Sequence, residues 1–201
     1  RLLIMDVGNT QTVVALFTGP VILQSWRLST ARHRTRDEWG AVLQSLFHFS
    51  SIPMDDISGV AISSVVPTAD RPIREMVHRY FGLEPFTVGP GIRTGVPILY
   101  EHPSAVGAAR IGNAVAVAHK YGTPAIVVDF GTATTLDVLN ADGAYVGGVI
   151  APGLGISAEA LFERAAKLPK VDIQRPARVV GRTTVASMQS GLYYGYAALV
   201  E

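Results

Sequence analysis

Leu3-Ile4-Met5-Asp6-Val7-Gly8-Asn9-Thr10 near the start of the chain and Ile126-Val127-Val128-Asp129-Phe130-Gly131-Thr132 in its second half share one grammar. Each is an apolar, strand-like run followed by Asp, any residue, Gly, and a hydroxyl or amide. A carboxylate at the end of a buried strand, with glycine two residues on, puts a charge at the mouth of a turn. The backbone of that turn can approach a ligand closely, because glycine permits the φ angles and leaves no side chain in the way. Asn9, Thr10, Thr132, Thr134 and Thr135 add hydrogen-bond donors for phosphate oxygens, and Asp6 and Asp129 can hold a cation against those oxygens, directly or through water. A single copy is also what an ordinary hairpin uses. Two copies in matching contexts point to an internal repeat, two similar halves facing each other across a cleft.

Around the first copy, residues 12–17 and 21–28 read as further strands, with Thr18-Gly19-Pro20 as the turn between them. Apolar residues at Trp39, Val42, Leu43, Leu46 and Phe47 predict a helix over 35–49, with Thr35 as its N-cap and Glu38 three residues on. Residues 59–66 read as a strand, 69–81 as a helix and 85–88 as a strand, giving the order β-β-β-α-β-α-β. Around the second copy, 103–121 is helical by pattern. Strands follow at 125–130, 134–139 and 145–150, with Asp142-Gly143 as a turn signal. Helices are expected over 157–168 and 183–200.

The 201 residues suffice for one medium domain or two compact ones. With 48% hydrophobic and 16% charged residues, disorder is excluded. Lys+Arg 17 against Asp+Glu 16 leaves a net charge of +1. No basic run is long enough for the positive stripe that nucleic acid requires, so no nucleic-acid partner is expected. Arg32, Arg34 and Arg36 form the densest cluster and read as a solvated loop. The absence of cysteine excludes disulfides, thiol catalysis and Cys-ligated zinc, and allows a reducing compartment. The histidines at 33, 48, 78, 102 and 119 lack metal-ligand spacing and read as structural or surface residues. No apolar stretch approaches the roughly 18 residues of a membrane span, and the chain opens into a strand rather than a signal peptide, so a cytoplasmic protein without a membrane partner is expected. Arg1 is not Met and Glu201 falls inside a helical pattern, so both ends are expected to be trimmed. Neither G-x-x-x-x-G-K-[ST] nor a G-x-G-x-x-G after a strand occurs.

The two turns resemble those of the actin-like ATPase superfamily. More narrowly, the whole chain resembles the type III pantothenate kinases, also described as the Bvg accessory factor family. The resemblance is carried by Asp6-Val7-Gly8-Asn9-Thr10; Tyr100 with Pro103; Gly107-Ala108-Ala109-Arg110 with Asn113; Asp129-Phe130-Gly131-Thr132-Ala133-Thr134-Thr135; Gly147-Gly148-Val149-Ile150 with Pro152-Gly153; and Thr183-Thr184 with Met188-Gln189-Ser190-Gly191.

The resemblance implies an α/β, duplicated actin-like (ribonuclease H-like) ATPase fold, with two β-β-β-α-β-α-type halves around a cleft. Residues 1–102 would carry the first phosphate turn, and residues 103–201, truncated at the C-terminus, the second. It implies transfer of the γ-phosphoryl group of ATP, supplied with magnesium, to pantothenate, giving 4'-phosphopantothenate, the first step of coenzyme A biosynthesis. Asp6, Val7, Gly8, Asn9, Thr10, Gln11, Thr12, Val13 and Thr132 match ATP-binding positions, and Asp129 matches a ligand of a monovalent cation, potassium or ammonium. Tyr100, Gly107, Ala108, Ala109, Arg110 and Thr184 match pantothenate-binding positions, and a homodimer is implied. Chemically, Arg110 offers a planar, bidentate partner for the pantothenate carboxylate, or else a stem snorkelling from its helix. Tyr100 has a ring for packing and a hydroxyl for a polar contact. Thr184, near a helix start, is also a natural cap.

The chain departs from the family at one position. Where relatives carry the aspartate read as general base, this chain has Ala109, which neither accepts a proton nor orients a hydroxyl. An engineered Asp-to-Ala change, a natural loss or weakening of catalysis, and a shifted mechanism using Glu101 or another nearby carboxylate all account for it. A non-catalytic regulator on the same fold is the alternative reading.

Overall fold

A computed structural model describes residues 1–89 and 91–201. The first element is β1 (Leu2–Val7), followed by β2 (Gln11–Thr18), β3 (Val21–Ser29), α1 (Arg36–Phe49), β4 (Gly59–Ser64), α2 (Pro67–Phe81) and β5 (Phe86–Val88). The second half runs α3 (Ala108–Lys120), β6 (Ala125–Phe130), β7 (Ala133–Leu139), β8 (Tyr145–Pro152), α4 (Leu154–Arg164) and α5 (Thr184–Val200). The chain forms two compact units: Arg1–Gly95 with Glu101–Ala116, and Val96–Tyr100 with Val117–Glu201.

The first unit is built on a five-stranded sheet in the order β3-β2-β1-β4-β5. β1 pairs antiparallel with β2 and parallel with β4, so α1 sits in the crossover that a parallel return requires. Alternation sends Leu3, Met5 and Val7 of β1 to one face, where they are fully buried with Val14 and Leu16 of β2. That face is covered by helix side chains at helical spacing, Trp39, Leu43 and Phe47 from α1 and Ile73, Met76 and Val77 from α2. The other face carries Ile4 and Asp6.

The expected capping box is present. The Thr35 hydroxyl accepts from the Glu38 N–H, and the Glu38 carboxylate accepts from the Thr35 N–H at 2.7 Å. The arginine cluster is less simple than a solvated loop. Arg34 is half-buried, with its guanidinium 4.6 Å from the Trp39 ring centroid, because a fully buried indole offers a π face that a planar cation can cover.

The second unit holds a three-stranded antiparallel sheet, β6-β7-β8, repeating the opening meander of the first. Several expected boundaries shift. The helix predicted over 103–121 is a 3₁₀ turn, Pro103–Ala105, then an extended and buried Val106, and only then α3. Gly107 is a poor helix former at the break. The helix expected from 157 starts at Leu154, because β8 runs on to Pro152 and Gly153 becomes the N-cap. Thr183, not Thr184, caps α5: its hydroxyl accepts from the Ala186 N–H at 3.1 Å, leaving Thr184 as the first helical residue.

Candidate functional site

In the first unit, Asp6 is exposed at the penultimate position of β1, in register with Val13 of β2 and Ser63 of β4. Gly8 N–H closes the turn onto the Gln11 carbonyl at 3.0 Å. A Cβ on Gly8 would stand 2.9 Å from that oxygen, so the tight closure requires glycine. Asn9 and Thr10 form the exposed tip. Thr12 is fully buried and shares a 2.9 Å hydroxyl pair with Thr30, whose hydroxyl donates to the Gly8 carbonyl at 2.7 Å while its N–H donates to the Thr10 carbonyl. This braces the turn from beneath. The Gln11 side chain is engaged by Arg27 at 2.7 Å. Ser63 Oγ is buried without a hydrogen-bond partner among the described residues.

The same unit brings the segment Gly107, Ala108, Ala109 and Arg110 toward this turn. Val65 N–H donates to the Val7 carbonyl at 3.0 Å, and a Cβ built on Gly107 would lie 3.9 Å from Val65 Cγ1. Val65 therefore borders both the end of β1 and Gly107, the residue before α3. Ala108 is buried, Ala109 and Arg110 are half-buried, and Glu101 is exposed.

The second unit repeats the turn in shorter form. Asp129 is exposed at the penultimate position of β6, in register with Thr135, and Gly131 N–H closes onto the Ala133 carbonyl at 3.0 Å. The start of α4 is locked against it: Gly153 N–H donates to the Thr132 carbonyl at 3.0 Å. A Cβ on Gly153 would meet the Gly131 and Thr132 carbonyl oxygens at 2.3 Å, a clash with backbone that cannot swing aside. Tyr196 of α5 bonds to the Pro152 carbonyl and to Ser157, fastening the same junction from behind.

The two threonines on β7 differ in their partners. Thr135 Oγ1 donates to Asp137 Oδ2 at 3.3 Å, because strand alternation puts those two residues on one face. The Thr135 hydroxyl is engaged by that bond. Thr134, on the opposite face, is fully buried with its hydroxyl unpartnered among the described residues.

Tyr100 and Thr184 also belong to this unit and are both exposed. The Tyr100 ring lies 6.2 Å from that of Tyr145. Sequence reasoning missed Asp137 and Tyr145, although Leu136-Asp137-Val138-Leu139 carries a signal: a charged residue inside a strand otherwise apolar enough to be buried. Asp129 with the carbonyls of its turn is an oxygen-only donor set, which suits a hard cation and no soft one. Among the described residues no group of three His, Cys, Asp or Glu side chains could hold a metal ion, and no helix is long and apolar enough to cross a membrane.

Comparison with known proteins adds the family context. The profile described as Type III pantothenate kinase matches residues 2–201. Curated proteins named Type III pantothenate kinase from Koribacter versatilis and Geobacter sulfurreducens are each 52% identical, over 210 and 200 residues. The match spans all of this chain and 77% and 78% of those proteins. The one from Moorella thermoacetica is 50% identical over 200 residues, spanning 79% of its length. Among solved structures, a Campylobacter jejuni protein assigned to the Baf family of transcriptional activators superposes with a TM-score of 0.57 at 15% identity, over 98% of this chain and 77% of its own. A Sinorhizobium meliloti protein assigned as a 2-dehydro-3-deoxygalactonokinase gives 0.56 at 11%, over 98% and 79%. At those identities the two structures speak for the fold alone, a duplicated actin-like α/β architecture.

Proposed function

The chain belongs to the type III pantothenate kinase family, and from that premise we propose that it transfers the γ-phosphoryl group of ATP to pantothenate, opening coenzyme A synthesis. The observation that carries this reading is the link through Val65, which seats the start of α3 beside the first phosphate turn within a single unit. Kinase names on relatives at 50–52% identity do not favour the regulatory alternative.

In this reading Asp6, Val7, Gly8, Asn9, Thr10, Gln11, Thr12 and Val13 of the first unit bind ATP through the backbone of their turn and its hydroxyl and amide side chains, and Thr132 of the second unit is likewise an ATP-binding residue. Asp129 would hold potassium or ammonium, and magnesium would arrive with ATP, both supplying positive charge to the phosphates. Gly107, Ala108, Ala109 and Arg110 of the first unit would be pantothenate-binding residues, with Arg110 taking the carboxylate in a bidentate pair, and so would Tyr100 and Thr184 of the second unit. Phosphoryl transfer passes through a loose transition state stabilised mainly by positioning and charge, so the preformed turns do most of the catalysis. Ala109 leaves the acceptor hydroxyl without a base at that position, which slows turnover without abolishing it. The enzyme would work in the cytoplasm as a homodimer. The exposed apolar side chains of Ile126, Phe130 and Val149, on one face of the second sheet, leave surface for a partner to cover.

Calorimetric titration with pantothenate, with and without ATP, tests the acceptor while sugars and acetate serve as rival acceptors. Saturable heat with pantothenate alone among them is expected. Binding of a sugar or acetate in its place would move the chain to another small-molecule kinase activity.

A further inference from the structure

One face of the second sheet carries a line of polar groups whose middle members, Thr135, Asp137 and Tyr145, have no part in the proposed chemistry. Asp129 on β6 stands in register with Thr135 on β7, and Thr135 donates to Asp137, which lies on the same face. Asp137 is fully buried and accepts a second bond, 2.8 Å from the Tyr145 hydroxyl. Tyr145 is fully buried as well, and its backbone grips the segment before α3: its N–H donates to the Pro97 carbonyl and its carbonyl accepts from the Leu99 N–H, each at 2.8 Å. Its ring packs against Tyr100, the exposed end of the line.

A carboxylate enclosed in a strand is expensive, and a well-packed apolar residue of similar size would stabilise the sheet at least as well. What a buried acid supplies instead is a fixed acceptor that holds one tyrosine hydroxyl, and therefore one ring, in one place. We propose that Asp137 is a positioning residue for the acceptor site: through the Tyr145 hydroxyl it fixes the ring and backbone against which Tyr100 stands. The inference rests on the reading above, in which Tyr100 contacts pantothenate.

Calorimetry on the full chain, titrating pantothenate and, separately, ADP, tests it. Tyr145→Phe removes only the hydroxyl, and Asp137→Ala removes the acceptor; each should weaken pantothenate about tenfold, within the range of coupling between residues that share one contact network. ADP affinity should stay within about twofold of the unsubstituted chain. Asp137→Asn, which keeps an oxygen to accept the tyrosine proton, should restore pantothenate binding to within about threefold. A merely structural role would weaken both ligands together and would not spare Asp137→Asn. Tyr100→Ala separates the two layers. If it weakens pantothenate while folded Tyr145→Phe does not, Asp137 has no positioning role and Tyr100 keeps its own. If Tyr100→Ala leaves pantothenate binding unchanged, the acceptor reading of Tyr100 fails and this inference with it.

Discussion

Ala109 stands where the family carries a general base. A positioned general base contributes about 10² to 10⁴, so Ala109→Asp should raise turnover by roughly 10² or more while nucleotide affinity stays constant. Equal rates in the two forms, measured by ADP release, would place the base elsewhere. Arg110→Ala should weaken pantothenate by about 10- to 100-fold, the worth of a hydrogen bond to a charged group, without moving ATP; calorimetry reads both. Gly153→Ala should cost roughly 10² in turnover, because its methyl would collide with the carbonyls of the second turn and push the start of α4 off that turn, while circular dichroism stays native. Aspartates before glycines were legible from local pattern alone. Asp137 was not, since its role depends on Tyr145, a partner on the neighbouring strand that no spacing rule reveals.

At the scale of elements, α1 is the clearest case of sequence dictating structure, since Thr35 and Glu38 satisfy each other's backbone as the spacing requires. Thr35→Ala should lower stability by about 1 kcal/mol, read as a lower denaturant midpoint. Bonds from the Thr35 backbone and then its hydroxyl hold the Glu38 carboxyl below its usual range. The Tyr80 hydroxyl does the same for Asp37, helped by the Arg36 and Arg79 charges. Folded values below unfolded ones mean stability that is present above the ordinary carboxylate range and lost as pH falls through the depressed values. Acid titration below about pH 4 should therefore loosen the α1–α2 pair, and Tyr80→Phe should shift that loss toward higher pH. Helix ends in the second half were harder to read. Gly153 and Thr183 cap where strand and loop geometry place them, and neighbouring residues of the same type, such as Thr184, look equally suitable in one dimension.

For the whole molecule, the repeat of Asp-x-Gly turns exposed the duplicated architecture, because both copies keep an acid at the penultimate position of the first strand and a glycine that closes the turn. Association is not written in any such pattern, since apolar residues on a sheet face look the same whether a helix or a partner covers them. Light scattering should give twice the chain mass, and a monomer at micromolar concentration would remove the proposed dimer. The central claim is phosphoryl transfer from ATP to pantothenate. Its most direct test is mass-spectrometric detection of phosphorylated pantothenate after incubating the chain and its Ala109→Asp form with ATP, magnesium and potassium. Slow product formation by the chain and much faster formation by the variant are predicted; no product from either form would contradict the account.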